Sequence, residues 1–189
     1  MKRSLATAWL VSTLALPWAA HALDVSGVHF DDSAAIEGST LVLNGVGTRH
    51  ATIFGIEVYV AALYVPTRTS DVEAIVRPDV PRRVVLVMKR DVDAETMAHA
   101  IREGIAHAAG PRAGATASEL EAFVAWCPTM REGHRMTVTF TPGANLAITA
   151  TGARGAFRGS AALADAFFRM WLGSHPVEDS LRDGMLGRR

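Results

Sequence analysis

One cysteine occurs in 189 residues. That excludes an internal disulfide framework and any cysteine-rich zinc site. Neither sign of charge dominates, because nineteen Lys+Arg balance nineteen Asp+Glu. A nucleic-acid binder normally shows a basic excess, so nucleic acid is not an expected partner. The seven histidines are scattered. None stands in a His-x-His or His-Glu-x-x-His spacing, so no metal is implied. A nucleophile elbow of the form Gly-x-Ser-x-Gly is missing, as are internal repeats, low-complexity tracts and Pro-rich linkers. Gly45-Val46-Gly47 lacks the third glycine and following helix of a dinucleotide site, and no cofactor is expected. Past residue 22, no apolar run reaches the roughly 20 residues of a bilayer span. What the chain does have is apolar material: 49% of its residues are hydrophobic, ample for one core.

Residues 1–22 read as a signal peptide. Lys2 and Arg3 form a positive start, Leu5 to Trp18 is an uncharged apolar run, and Ala20-His21-Ala22 supplies small residues before a cleavage point at Leu23. The short tripartite segment looks bacterial, which implies a periplasmic or secreted protein. Residues 23–189 are then a single domain. Cys127 becomes a lone thiol in an oxidising compartment, and its apolar neighbours Phe123, Val124 and Trp126 predict a buried, inert one.

Along that domain the elements are segregated. Strands are predicted at Thr40–Asn44, Arg49–Phe54, Ile56–Val65 and Arg82–Met88, with Gly45-Val46-Gly47 as a hairpin turn whose glycines take positive φ. A helix follows, capped by Asp93, with Met97, Ile101, Ile105 and Ala108 on one face. Ser118 and Glu121 have capping-box spacing for a second helix, which carries Leu120, Phe123, Val124 and Cys127 inward. Strands return at Arg135–Thr141, Leu146–Thr151 and Arg154–Arg158. Ser160 caps a third helix with Leu163, Phe167, Met170 and Trp171 inward and Gly173 at its end. Pro176 opens a short terminal helix. Strands, helices, strands, helices in that order mean an α+β fold with a largely antiparallel sheet.

Few residues could carry chemistry. Arg49 follows a glycine pair on a strand whose alternate residues Ala51 and Ile53 could face inward. It is either a surface or salt-bridged arginine, or a fixed donor fork directed into a cleft for a carboxylate or oxyanion. Arg90, in Lys89-Arg90-Asp91, closes another strand and could point to the same end of the sheet. Tyr59 and Tyr64 are the two tyrosines of the chain. Five residues apart on one strand, they face opposite sides.

These residues resemble a known family. Leu43-Asn44-Gly45-Val46-Gly47-Thr48-Arg49, then Val58-Tyr59-Val60-Ala61-Ala62-Leu63-Tyr64-Val65, is similar to the opening of the bacterial chalcone isomerase-like family. Lys89-Arg90-Asp91-Val92, Pro142-Gly143, and Trp171-Leu172-Gly173 with Pro176 and Ser180-Leu181 resemble its later landmarks. The resemblance runs from about Asp24 to Leu186. It implies an open-faced β-sandwich, in which a large antiparallel sheet carries helices on one side and a small sheet on the other, with a cleft between sheet and helices. In the plant enzymes that close a chalcone to a flavanone, an arginine at the position of Arg49 binds the oxyanion. Their threonine on the next strand segment is Phe54 here, and their downstream tyrosine has no counterpart after Tyr64. Fatty-acid-binding relatives set the arginine against a carboxylate.

The resemblance thus implies a small hydrophobic or carboxylate ligand. Arg49 would anchor its acidic group, Phe54, Tyr59 and Leu63 would line the cleft, and Arg90 would support the polar end. Two alternatives stand beside it. One is an intramolecular lyase using Arg49 as electrophile, and the other is a partner-binding protein with a vestigial cleft. The sequence carries no signal for oligomeric state.

Overall fold

The computed structural model describes residues 23–51, 55–109 and 116–188. The expected signal peptide, Ile53 and Phe54 lie outside the described residues. Seven strands form one antiparallel meander in chain order: β3 (Ser33–Ile36), β4 (Ser39–Ala51), β5 (Ile56–Val65), β6 (Arg82–Met88), β7 (Arg135–Thr141), β8 (Asn145–Ala150) and β9 (Phe157–Gly159). A separate hairpin of β1 (Leu23–Val25) and β2 (Val28–Phe30) precedes them. The helices are a short α1 (Val72–Ile75), then α2 (Ala94–Ala109), α3 (Ala117–Trp126), α4 (Ala161–Leu172) and α5 (Asp179–Met185).

Strand alternation sorts the core into two layers. On β5, Ala61, Leu63 and Val65 join the cluster built with the helices, which includes Ile105, Phe123 and Phe167. Val60, Ala62 and Tyr64 face the other way and pack with Val28 and Phe30 of the small hairpin. The two tyrosines do face opposite sides, since Tyr59 packs against the helical layer. The helical cluster extends along the sheet as far as Phe157 on the edge strand.

The strands at Ile56–Val65, Arg82–Met88 and Arg135–Thr141 have the expected bounds. The glycine segment does not turn. Gly45-Val46-Gly47 continues β4, and neither glycine takes a positive φ. Their lack of a side chain serves packing instead. A Cβ on Gly45 would lie 2.3 Å from the Gly184 carbonyl oxygen, and one on Gly47 the same 2.3 Å from that of Leu181. Helix α5 therefore lies directly on the β4 backbone, a contact to which chain-local patterning is blind.

Three helix boundaries also differ. α3 begins at Ala117 with Thr116 as the N-cap residue, so Ser118 falls inside the first turn and no capping box forms. Glu121 pairs with Arg102 on α2 instead, at 2.6 Å. α5 begins at Asp179 rather than Pro176, because Val177 N–H donates to Met170 O at 2.9 Å and ties the intervening chain into a bent loop. Gly173 ends α4 without a left-handed conformation, at φ −68°. Asp93 and Ser160 cap as expected, accepting from Thr96 N–H at 2.8 Å and Leu163 N–H at 3.2 Å. The last predicted strand shortens to Phe157–Gly159, and β1 to β3 and α1 have no counterpart in the predicted elements.

Candidate functional site

Between the sheet and the helices lies a cavity of about 450 Å³. That is within the usual range for a small-molecule site. Val58 and Tyr59 of β5, Leu86 of β6 and Met136 of β7 form its floor, and Met97 and Ile101 of α2 one wall. Phe167, Met170 and Trp171 of α4 close the other side. Arg49, Arg90, Asp91, Asp93 and Thr96 are also on its lining and supply its charge and hydroxyl. The interior is therefore apolar and one end is polar.

The sheet register explains the placement of Arg49. It is the direct cross-strand partner of Tyr59, so both side chains project from one face of the sheet. A register shift between Arg49 and His50 then bends the strand away. Arg49 Nη1 donates to Glu178 Oε2 at 2.9 Å and also to the His50 carbonyl. Arg49 is thus both salt-bridged and on the cavity lining, so the two alternatives for it are not exclusive. Nε and Nη2 have no acceptor among the described residues.

Glu178 is the residue that sequence reasoning missed. It accepts from the His50 backbone N–H at 2.8 Å, meets His50 Nδ1 at 3.0 Å and accepts from the Ser180 hydroxyl. Burial alone would raise its carboxyl. The Ser180 hydroxyl, the His50 amide and ring and the Arg49 guanidinium outweigh that and hold it at about 2. At neutral pH it is a fixed anion. No local motif signals this, because Glu178 lies 129 positions from Arg49.

Trp171 Nε1 donates to Tyr59 Oη at 3.2 Å. An indole nitrogen only donates, so the phenol oxygen is the acceptor and its own proton is directed elsewhere. That proton has no acceptor among the described residues. Burial pushes the phenol up to about 12, against the Trp171 hydrogen bond and the nearby Arg49 charge. Tyr59 therefore keeps its proton throughout the physiological range and can only donate it in a hydrogen bond. Helical spacing with Phe167 places Trp171 inward, but its bond to Tyr59 is a tertiary contact that periodicity does not show.

The remaining site candidates divide. Arg90 lies on the cavity lining, exposed at its rim. Leu63 does not line the cavity. It is fully buried beneath the helices and pairs with Val84. The four-residue step from Tyr59 to Leu63 spans about 13 Å of strand, which carries Leu63 into the closed core. The Asp91 carboxylate accepts from the Glu132 N–H at 2.9 Å, and Asp93 is committed to capping α2. Among the described residues no group of histidines, cysteines and carboxylates could hold a metal ion.

A chalcone isomerase-like family model matches residues 22–187. The chain belongs to the chalcone isomerase-like family. The fold agrees. A fatty-acid binding protein of Arabidopsis thaliana superposes with a TM-score of 0.68 at 16% identity, covering 87% of this chain and 95% of the other. At that identity the likeness speaks for the fold alone. No curated protein matches the sequence.

Proposed function

We propose that this chalcone isomerase-like protein binds a small amphipathic ligand, with its apolar body in the cavity and an oxygen-bearing head on Arg49 and Tyr59. The carrying observation is the convergence of unused donors at one end of an apolar cavity. Tyr59 has a proton to give, and Arg49 has Nε and Nη2. Hydrophobic burial drives affinity, while the paired donors fix orientation. The Arabidopsis structural neighbour is described as a fatty-acid binding protein, which supports the same use of the fold. Arg90 at the rim would face the polar end.

Binding needs no group to change protonation. Tyr59 near 12 and Glu178 near 2 are both far from neutrality, so each keeps one protonation state while a ligand binds. Residues 1–22 would direct export, and the mature chain would begin at Leu23, which N-terminal sequencing of the exported protein checks.

The test is mass spectrometry of organic extracts from purified mature protein. Wild type should yield an enriched amphiphile. Arg49→Ala should lose its head-group anchor, and Ala100→Trp should fill the space against the α2 wall. Either variant should lower the recovered amount at least tenfold. Equal recovery from all three, with both variants folded, would remove the cavity from the account.

A further inference from the structure

We propose that the ligand is a neutral acyl compound, an amide or ester carrying a polar headgroup, rather than a free carboxylate. This rests on the binding reading above and narrows it.

The first argument is charge. Arg49 already has a carboxylate, since Glu178 Oε2 sits 2.9 Å from its Nη1. Arg49 and Arg90 line the cavity together with Asp91 and Asp93. With Glu178, two guanidiniums face three carboxylates. A free acid would bring a further negative charge into a mouth that already has an excess of one. A neutral carbonyl brings none. It also asks only for hydrogen-bond donors, and those are what remain: the Tyr59 O–H and the free edge of Arg49. A single carbonyl oxygen has two lone pairs and can accept from both.

The second argument is space. Outside Arg49 lies a further groove of about 530 Å³, lined by Glu103, Gly104, His107 and Pro176. It shares Arg49, Ala100 and Val177 with the inner cavity. A fatty acid with its carboxylate on Arg49 ends there and leaves the groove unused. An acyl amide or ester continues past its carbonyl. Its headgroup would meet the Glu103 carboxylate as acceptor and the His107 ring, which stands edge-on to His175 with ring centres 5.5 Å apart. The inner cavity reads the acyl chain, Arg49 and Tyr59 the carbonyl, and the outer groove the headgroup.

Calorimetric titration at pH 7 with three probes of equal chain length tests this: decanoate, decanamide and N-decanoylglycinamide. Decanamide should bind at least tenfold more tightly than decanoate, and N-decanoylglycinamide more tightly again. Glu178→Gln removes one carboxylate beside Arg49, so it should shrink the amide-to-acid ratio several-fold. The combined Glu103→Ala, His107→Ala change should weaken N-decanoylglycinamide and leave decanamide as it was. Decanoate binding as tightly as decanamide, or more so, would overturn the inference while leaving the binding reading intact. An unchanged ratio in a folded Glu178→Gln protein would remove the charge argument, and a headgroup that adds nothing would remove the groove. If none of the three probes binds, the binding reading itself fails. Should Glu178→Gln not fold, the wild-type ratio still decides between acid and amide.

Discussion

Four donors surround the Glu178 carboxylate: Arg49 Nη1, the His50 amide, His50 Nδ1 and the Ser180 hydroxyl. Its folded value of about 2 lies below the ordinary 4.5. Its contribution to stability is therefore complete above pH 4.5 and is lost as pH falls toward about 2. Denaturant titrations should show wild type losing stability across that window, and Glu178→Gln should start lower and be flatter there. Arg82 presents a different case. It is 1% exposed and sandwiched between Phe140 and Phe168, with its guanidinium carbon 4.2 and 4.6 Å from their ring centres. Nη1 donates to the carbonyls of Arg77 and Val80 at 3.0 Å, while Nε is buried without a partner among the described residues. A planar, weakly hydrated cation can fill this slot, but an ammonium cannot stack on both rings. Arg82→Lys should cost about 2 kcal/mol or more in urea unfolding, and Arg82→Met should cost less, because it buries no charge.

At the scale of elements, the packing of α5 on β4 matters most. Gly45 and Gly47 on the strand meet Gly184 on the helix, where a Cβ would lie 2.6 Å from the Val46 carbonyl oxygen. The obstacles are backbone atoms, so relief requires the helix to move. Gly47→Ala should destabilise by about 1–3 kcal/mol. It should also weaken ligand binding, because Glu178 immediately precedes α5 and would shift with it. Hydrogen exchange should show early opening confined to α5 and β4. This contact also marks where the sequence stops being legible. The glycine pair is visible as a pattern and suggests a turn, but its cause is a helix more than 130 residues later. Ile56–Val65 and Arg82–Met88 are legible as strands, because a sheet with two buried faces imposes short, near-continuous apolar runs rich in β-branched residues. Arg49 and Tyr59 can be found as a candidate pair. Glu178 and the Trp171–Tyr59 bond cannot, since each depends on chain closure.

The whole molecule is an open-faced sandwich whose helical layer packs on one face of the large sheet and leaves the polar-mouthed cavity between them. Cys127 lies inside that layer, 5% exposed, and burial pushes its thiol up to about 11. The folded protein should resist a disulfide reagent at pH 8 and react only through global opening, so thiol labelling should track unfolding measured by circular dichroism. Labelling far faster than unfolding would mean that the helical layer opens locally.

The central claim is that the cavity beside Arg49 and Tyr59 is where a ligand sits. Amide NMR of the mature protein titrated with decanamide tests it most directly. The account predicts saturable shifts centred on Val58, Tyr59, Ala100, Ile101 and Trp171, and their loss in Arg49→Ala. Saturable shifts centred instead on the outer face of β7 and β8, or identical shifts in Arg49→Ala, would contradict it.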